Sequence, residues 1–216
     1  TYGEKVYAVK PTADYAFYIA ASYKKLGNEA RYQEWMTKAL TYPEYAERAI
    51  GFLMEPVDKY AKEKNLAKAA EYAGKALDGL QTVKRPAAAP EADWNGKVRA
   101  ARRGCHYIIG LDLYEKQKYA EAIKKMEAAL GLDPHFDMAY YYIGLSQWKL
   151  GKVENEEAPL SFAKAYLLKG EMSEQAKEHL EKIYKAIHNN TLINIQKIYD
   201  RAKEELATVQ RTASNK

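Results

Sequence analysis

The residues that stand out for possible chemistry in this chain are four histidines, one cysteine and an unusually large set of 19 tyrosines. His106, His135, His179 and His188 share no metal-ligand spacing with cysteine or acids. Cys105 and His106 are sequence neighbours, and neighbours on a helix point about 100° apart. They cannot serve each other as nucleophile and base, and Cys105 reads as a small core residue. Glu178-His179 reads as part of a solvated face with i,i+4 partners. No Gly-rich phosphate loop of the Walker or dinucleotide type is present. The residue pattern therefore implies no catalytic group, no metal and no cofactor.

What the tyrosines offer is contact area with little entropy loss, which suits recognition. Tyr107, Leu111 and Tyr114 fall at i, i+4 and i+7, and Tyr141, Leu145 and Trp148 repeat that spacing further on. Counting back by fours from Tyr107 gives Arg103 and Arg99, with Arg102 alongside. One reading is an aromatic face with a basic lip, suited to an acidic peptide or a phosphorylated group. The other is that the rings pack against the next helices, since exposed stripes of this kind are costly unless covered. The arginines would then be an ordinary solvated, partly interhelical charged face. Asn95-Gly96 argues for a helix that starts only after that pair.

Composition narrows the function classes. The chain has 216 residues, 47% hydrophobic and 29% charged, enough for one sizeable domain or two small ones. No apolar stretch approaches the ~20 residues of a spanning helix. One cysteine excludes an internal disulfide framework and a multi-Cys zinc site, and that count does not decide between the redox compartments. The net charge of +5 is uneven. Residues 81–103 carry 6 basic and 2 acidic side chains, while the stretches before and after are close to neutral. A local excess of this kind argues against nucleic acid, which needs an extended basic face.

Apolar residues recur at helical spacing nearly everywhere, with no sustained strand alternation. The spacing predicts helices over 14–25, 29–40, 44–63, 66–80, 94–116, 119–131, 137–149, 156–168, 173–187 and 191–209. Pro56 is expected to interrupt or kink the third. Residues 81–93, QTVKRPAAAPEAD, read as a Pro/Ala loop between an N-terminal half, 1–80, and a C-terminal half, 94–190. Residues 191–216 read as a terminal capping helix and tail, with Thr191 as N-cap and Leu192, Ile195, Ile198, Tyr199, Ala202, Leu206 and Val209 on one face. The alternative is a detachable helix that docks on a second copy or a partner.

Gly110 and Gly144 lie 34 residues apart in similar settings, Tyr107-Ile108-Ile109-Gly110 and Tyr141-Tyr142-Ile143-Gly144. Ala122, Met126, Ala129 and Pro134 follow the first. Ala158, Phe162 and Ala165 follow the second after a two-residue insertion in GKVENEE. Pro159 then falls in a first helical turn, where its missing donor breaks no bond.

This pattern resembles the tetratricopeptide repeat (TPR) family, most clearly over 103–168. His106 stands in place of the family's Trp, and Leu113 and Gln147 in place of its Tyr. Lys25-Leu26-Gly27-Asn28, with Tyr23, Met36, Ala39 and Pro43, repeats the pattern more loosely. Residues 4–11 look like the tail of a preceding second helix, as in a chain cut from a longer array. The resemblance implies an all-α, right-handed superhelix of antiparallel helix pairs that acts as a protein-interaction scaffold. The implied groove residues are Phe17, Tyr107, Leu111, Tyr114, Tyr141, Leu145 and Trp148. The implied partner is a protein or peptide. Self-assembly through the groove or the last helix is one alternative, and a small-ligand binder or enzyme is another.

Overall fold

Helix starts and stops follow from individual residues. Thr12, Asn28 and Asn65 each cap a helix by accepting the backbone N–H three residues on, from Tyr15, Arg31 and Lys68. Among the helix-to-helix turns with a left-handed residue, four place it just after the end of the first helix of a pair: Gly27, Lys64, Gln117 and Gly151, at φ of 69°, 57°, 58° and 74°. At three of them the next residue donates back five residues, Asn28 to Tyr23, Asn65 to Tyr60 and Lys118 to Leu113, at 2.9–3.0 Å. That bond satisfies carbonyls that the ending helix would leave orphaned.

The computed structural model describes residues 1–151 and 156–214. Among these residues there is no strand. The chain divides into two compact units, Thr1–Ala101 and Arg102–Lys216. The first holds α1 (Tyr2–Val9), α2 (Ala13–Lys25), α3 (Glu29–Ala39), a 3-10 turn (Pro43–Tyr45), α4 (Ala46–Lys62), α5 (Leu66–Thr82) and the start of α6 (Glu91–Glu115). The second holds the rest of α6, then α7 (Tyr119–Leu132), α8 (Asp137–Lys149), α9 (Glu157–Leu167), α10 (Ser173–Ile187) and α11 (Ile195–Ser214). Short turns fold consecutive helices back on one another as antiparallel pairs, with α2 on α3, α4 on α5 and α8 on α9.

The small-to-large seats read from the repeat are present in space. A Cβ on Gly110 would come within 2.8 Å of Met126 Cε, and one on Gly144 within 3.0 Å of the Phe162 ring. Ala122, Met126, Ala129, Ala158, Phe162 and Ala165 are all buried. Seven residues before the left-handed turn the other pairs carry Ala20 and Val57, both buried. Nine residues after it they carry Met36 and Ala73, also buried. The α4–α5 pair thus has its bulk, Val57, on the first helix and its small residue, Ala73, on the second.

Several expectations change. α6 runs unbroken through Asn95-Gly96, so Arg99, Arg102 and Arg103 are helical. Pro56 lies inside α4 without ending it. The non-helical part of the Pro/Ala segment narrows to 83–90, and the division between units falls inside α6. The last helix begins at Ile195, not Thr191. The Thr191 hydroxyl accepts from the Ile193 N–H, and Asn194 is left-handed at φ 68°, which delays the helix and leaves Leu192 before it. Lys152, Val153, Glu154 and Asn155, within the insertion that lengthens the second repeat, lie outside the described residues. No described helix is long and apolar enough to cross a membrane.

Candidate interaction surface

Within Arg102–Lys216, α6 and α8 bring a run of tyrosines together. Tyr142 lies between Tyr107 and Tyr114, with ring centroids at 6.0 and 5.5 Å. Tyr107 also meets Phe136 edge-on at 5.1 Å, and Tyr114 meets Tyr119 at 5.5 Å. These edge-to-face contacts fix the rings while leaving Tyr107, Tyr114 and Tyr142 only half-buried. Their hydroxyls bond to no protein atom among the described residues, and none is sealed from solvent. Burial pushes all three phenols above their ordinary value, so they stay protonated donors at neutral pH.

The rest of the sequence stripe is more covered. Tyr141 and Leu145 are buried in the cluster that joins α8, α9, α10 and α11. Tyr141 packs on Phe162 and His179. Tyr141 and Leu145 both belong to inter-helix packing, with His179 of α10 against the Tyr141 ring. Trp148 is half-buried, with the Lys149 and Lys182 ammonium groups each 5.8 Å from its ring centroid. Leu111 packs against the cluster of Met126, Ala129, Phe136, Ala139 and Ile143. Phe17 belongs to the other unit, stacked on Tyr45 at 5.2 Å and against Phe52.

Two readings of single residues need correction. His179 is not part of a solvated face. It stacks on Phe162 at 5.4 Å, lies edge-on to Tyr141 and Trp148, and its Nδ1 meets the Gln175 carbonyl. The signal was available, since His179 is three residues after Ala176 and four before Ile183, both buried. Arg103 is no free lip. It pairs with Asp133 and its guanidinium lies 4.6 Å from the Phe136 ring centroid. Arg99 and Arg102 are exposed. Cys105 is buried, as a core residue should be.

Sequence reasoning missed Tyr142. Counting i, i+4, i+7 from Tyr141 passes over it. The 34-residue repeat maps Tyr107 onto Tyr141, and only the packing of α8 on α6 brings Tyr142 to Tyr107 and Tyr114. No group of three or more His, Cys, Asp or Glu able to hold a metal occurs among the described residues.

The TPR repeat family profile matches residues 110–151, which run from the Gly110 seat to the Gly151 turn. No curated protein matches the chain. In sequence the chain is TPR-like over that segment, and the same turn register recurs outside it at Gly27 and Lys64.

Proposed function

We propose that the chain is a protein-interaction scaffold without chemistry of its own, and that it holds an extended segment of a protein partner against the tyrosine face of α6 and α8. The observation that carries this reading is the Tyr107–Tyr142–Tyr114 run, whose rings are locked by mutual contact while their hydroxyls are unused. Pre-fixed rings lose little freedom on binding, and each hydroxyl can meet a partner's backbone carbonyl. The TPR likeness supports protein binding in general, and fold alone names no target.

The test replaces all three tyrosines with phenylalanine, which keeps the packing and removes the hydroxyls. Proteins captured by the parent from a host lysate should be lost by the triple variant while its melting temperature stays the same. Identical capture by both forms would overturn the reading.

A second reading is self-association through α1 and α2. Tyr2, Tyr18 and Leu26 are 84%, 65% and 74% exposed and line one apolar groove between these helices. A concentration-independent monomer mass by light scattering would reject it.

A further inference from the structure

Between Trp94 and Leu111, α6 contains no Asp or Glu, yet it carries Lys97, Arg99, Arg102, Arg103 and His106. Arg103 is spent on Asp133 and Phe136. Arg102, one residue round the helix, is exposed and pairs with no acid among the described residues. One turn further along the same face, His106 is half-buried with an Nδ1 that is sealed from solvent and has no partner. Nε2 is the nitrogen left to meet a ligand.

Lys125 of α7 closes the arrangement. Its Cβ lies 3.4 Å from where a Cβ on Gly110 would stand, one turn beyond His106. The acid that could neutralise it from its own helix, Glu121, is 3.7 Å from Lys118 instead. The charged groups that act on His106 from both helices are Lys125 and Arg102, with no carboxylate among them.

We propose that Arg102, His106 and Lys125 form an anion-recognition site on the α6–α7 seam, which takes an acidic or phosphorylated side chain of a protein partner. Arg102 supplies a planar fork that can grip two oxygens at once. Lys125 supplies a point charge from the facing helix, and His106 Nε2 supplies a hydrogen-bond donor between them. The close approach at the Gly110–Met126 seat sets the spacing of the two helices that carry these side chains, so the backbone part of the site needs no rearrangement on binding. The site stands without the tyrosine-face reading, and the variants below leave Tyr107, Tyr114 and Tyr142 untouched.

The test is fluorescence anisotropy on the full chain at low salt with two labelled probes: an octaglutamate peptide, and a neutral peptide with one phosphoserine. Arg102→Gln/Lys125→Gln should weaken the better probe by about tenfold or more. Lys197→Gln/Lys203→Gln, which removes the same charge from exposed positions of α11, should change it by less than about twofold. Arg102→Lys/Lys125→Arg should restore most of the binding. Tighter binding of octaglutamate identifies an acidic segment as the ligand, and tighter binding of the phosphopeptide identifies a phosphoryl group. Equal losses in the two double variants, failure of the parent to bind either probe, or tighter binding of a twelve-residue oligothymidylate would each overturn the proposal.

Discussion

Lys64 and Gln117 hold the same left-handed backbone that glycine holds at the two equivalent turns. A side chain there meets the following carbonyl, at a cost of roughly 1–2 kcal/mol. Glycine removes that penalty but gives back part of the gain as unfolded-state entropy. Gln117→Gly is therefore expected to stabilise the chain by about 0.5–1 kcal/mol, read as a higher denaturation midpoint with an unchanged slope. Lys64→Gly should do the same, and the two gains should add because the turns lie in different units. His106 gives a pH prediction. Burial, then Lys125 and Arg102, hold its imidazole below its ordinary 6.5. The unfolded chain takes up the proton first, so stability falls as pH drops below 6.5 until the folded value is passed. His106→Gln should retain more of its pH 7.5 melting temperature at pH 5.5 than the parent does.

At the scale of elements, helix-pair contact rests on size matching at one register. Gly144→Val would drive two methyl groups into the Phe162 ring and should cost about 1–3 kcal/mol by chemical denaturation. Glycine spacing and small-residue spacing made these seats legible in the sequence at Gly110 and Gly144. The N-terminal pairs looked looser for a physical reason. Their left-handed turn at Lys64 carries no glycine to mark it, and the α4–α5 pair exchanges which helix carries the bulk, Val57 against Ala73. Helical periodicity placed most helices within a few residues, and failed at α11 because Asn194 and the Thr191–Ile193 bond hold the chain out of helix for four more residues. Which stripe residues are open was not legible, because it depends on packing between helices, such as His179 of α10 against the Tyr141 ring. α11 buries Ile198, Ala202 and Leu206 and ties Glu205 to Lys164 at 2.7 Å. Its outward side carries exposed Lys197, Asp200, Arg201 and Glu204. Truncation after Asn190 should lower the melting temperature by more than about 5 °C. A helix that merely rests on the body would leave it unchanged.

For the molecule as a whole, the +5 net charge is less informative than where it sits. The excess resides in residues 81–103, and inside that segment the structure already spends one arginine on Asp133. Two compact units share the single helix α6, and the loop before it is the one long irregular connection inside the first unit. Six glycine and serine residues inserted after Ala88 should shift the denaturation midpoint little, because closure entropy grows only with the logarithm of loop length. A large loss of stability would show that the loop itself braces the unit. One further consequence concerns mutational tolerance across the chain. The Asp137 carboxylate is buried and accepts the Met172 N–H at 2.8 Å, and it fills the space a side chain on Gly170 would need. In a saturation library selected for folding, Gly170 should reject even alanine, whereas Gly51, Gly74 and Gly131, with open space around them in helices, should accept it and be enriched.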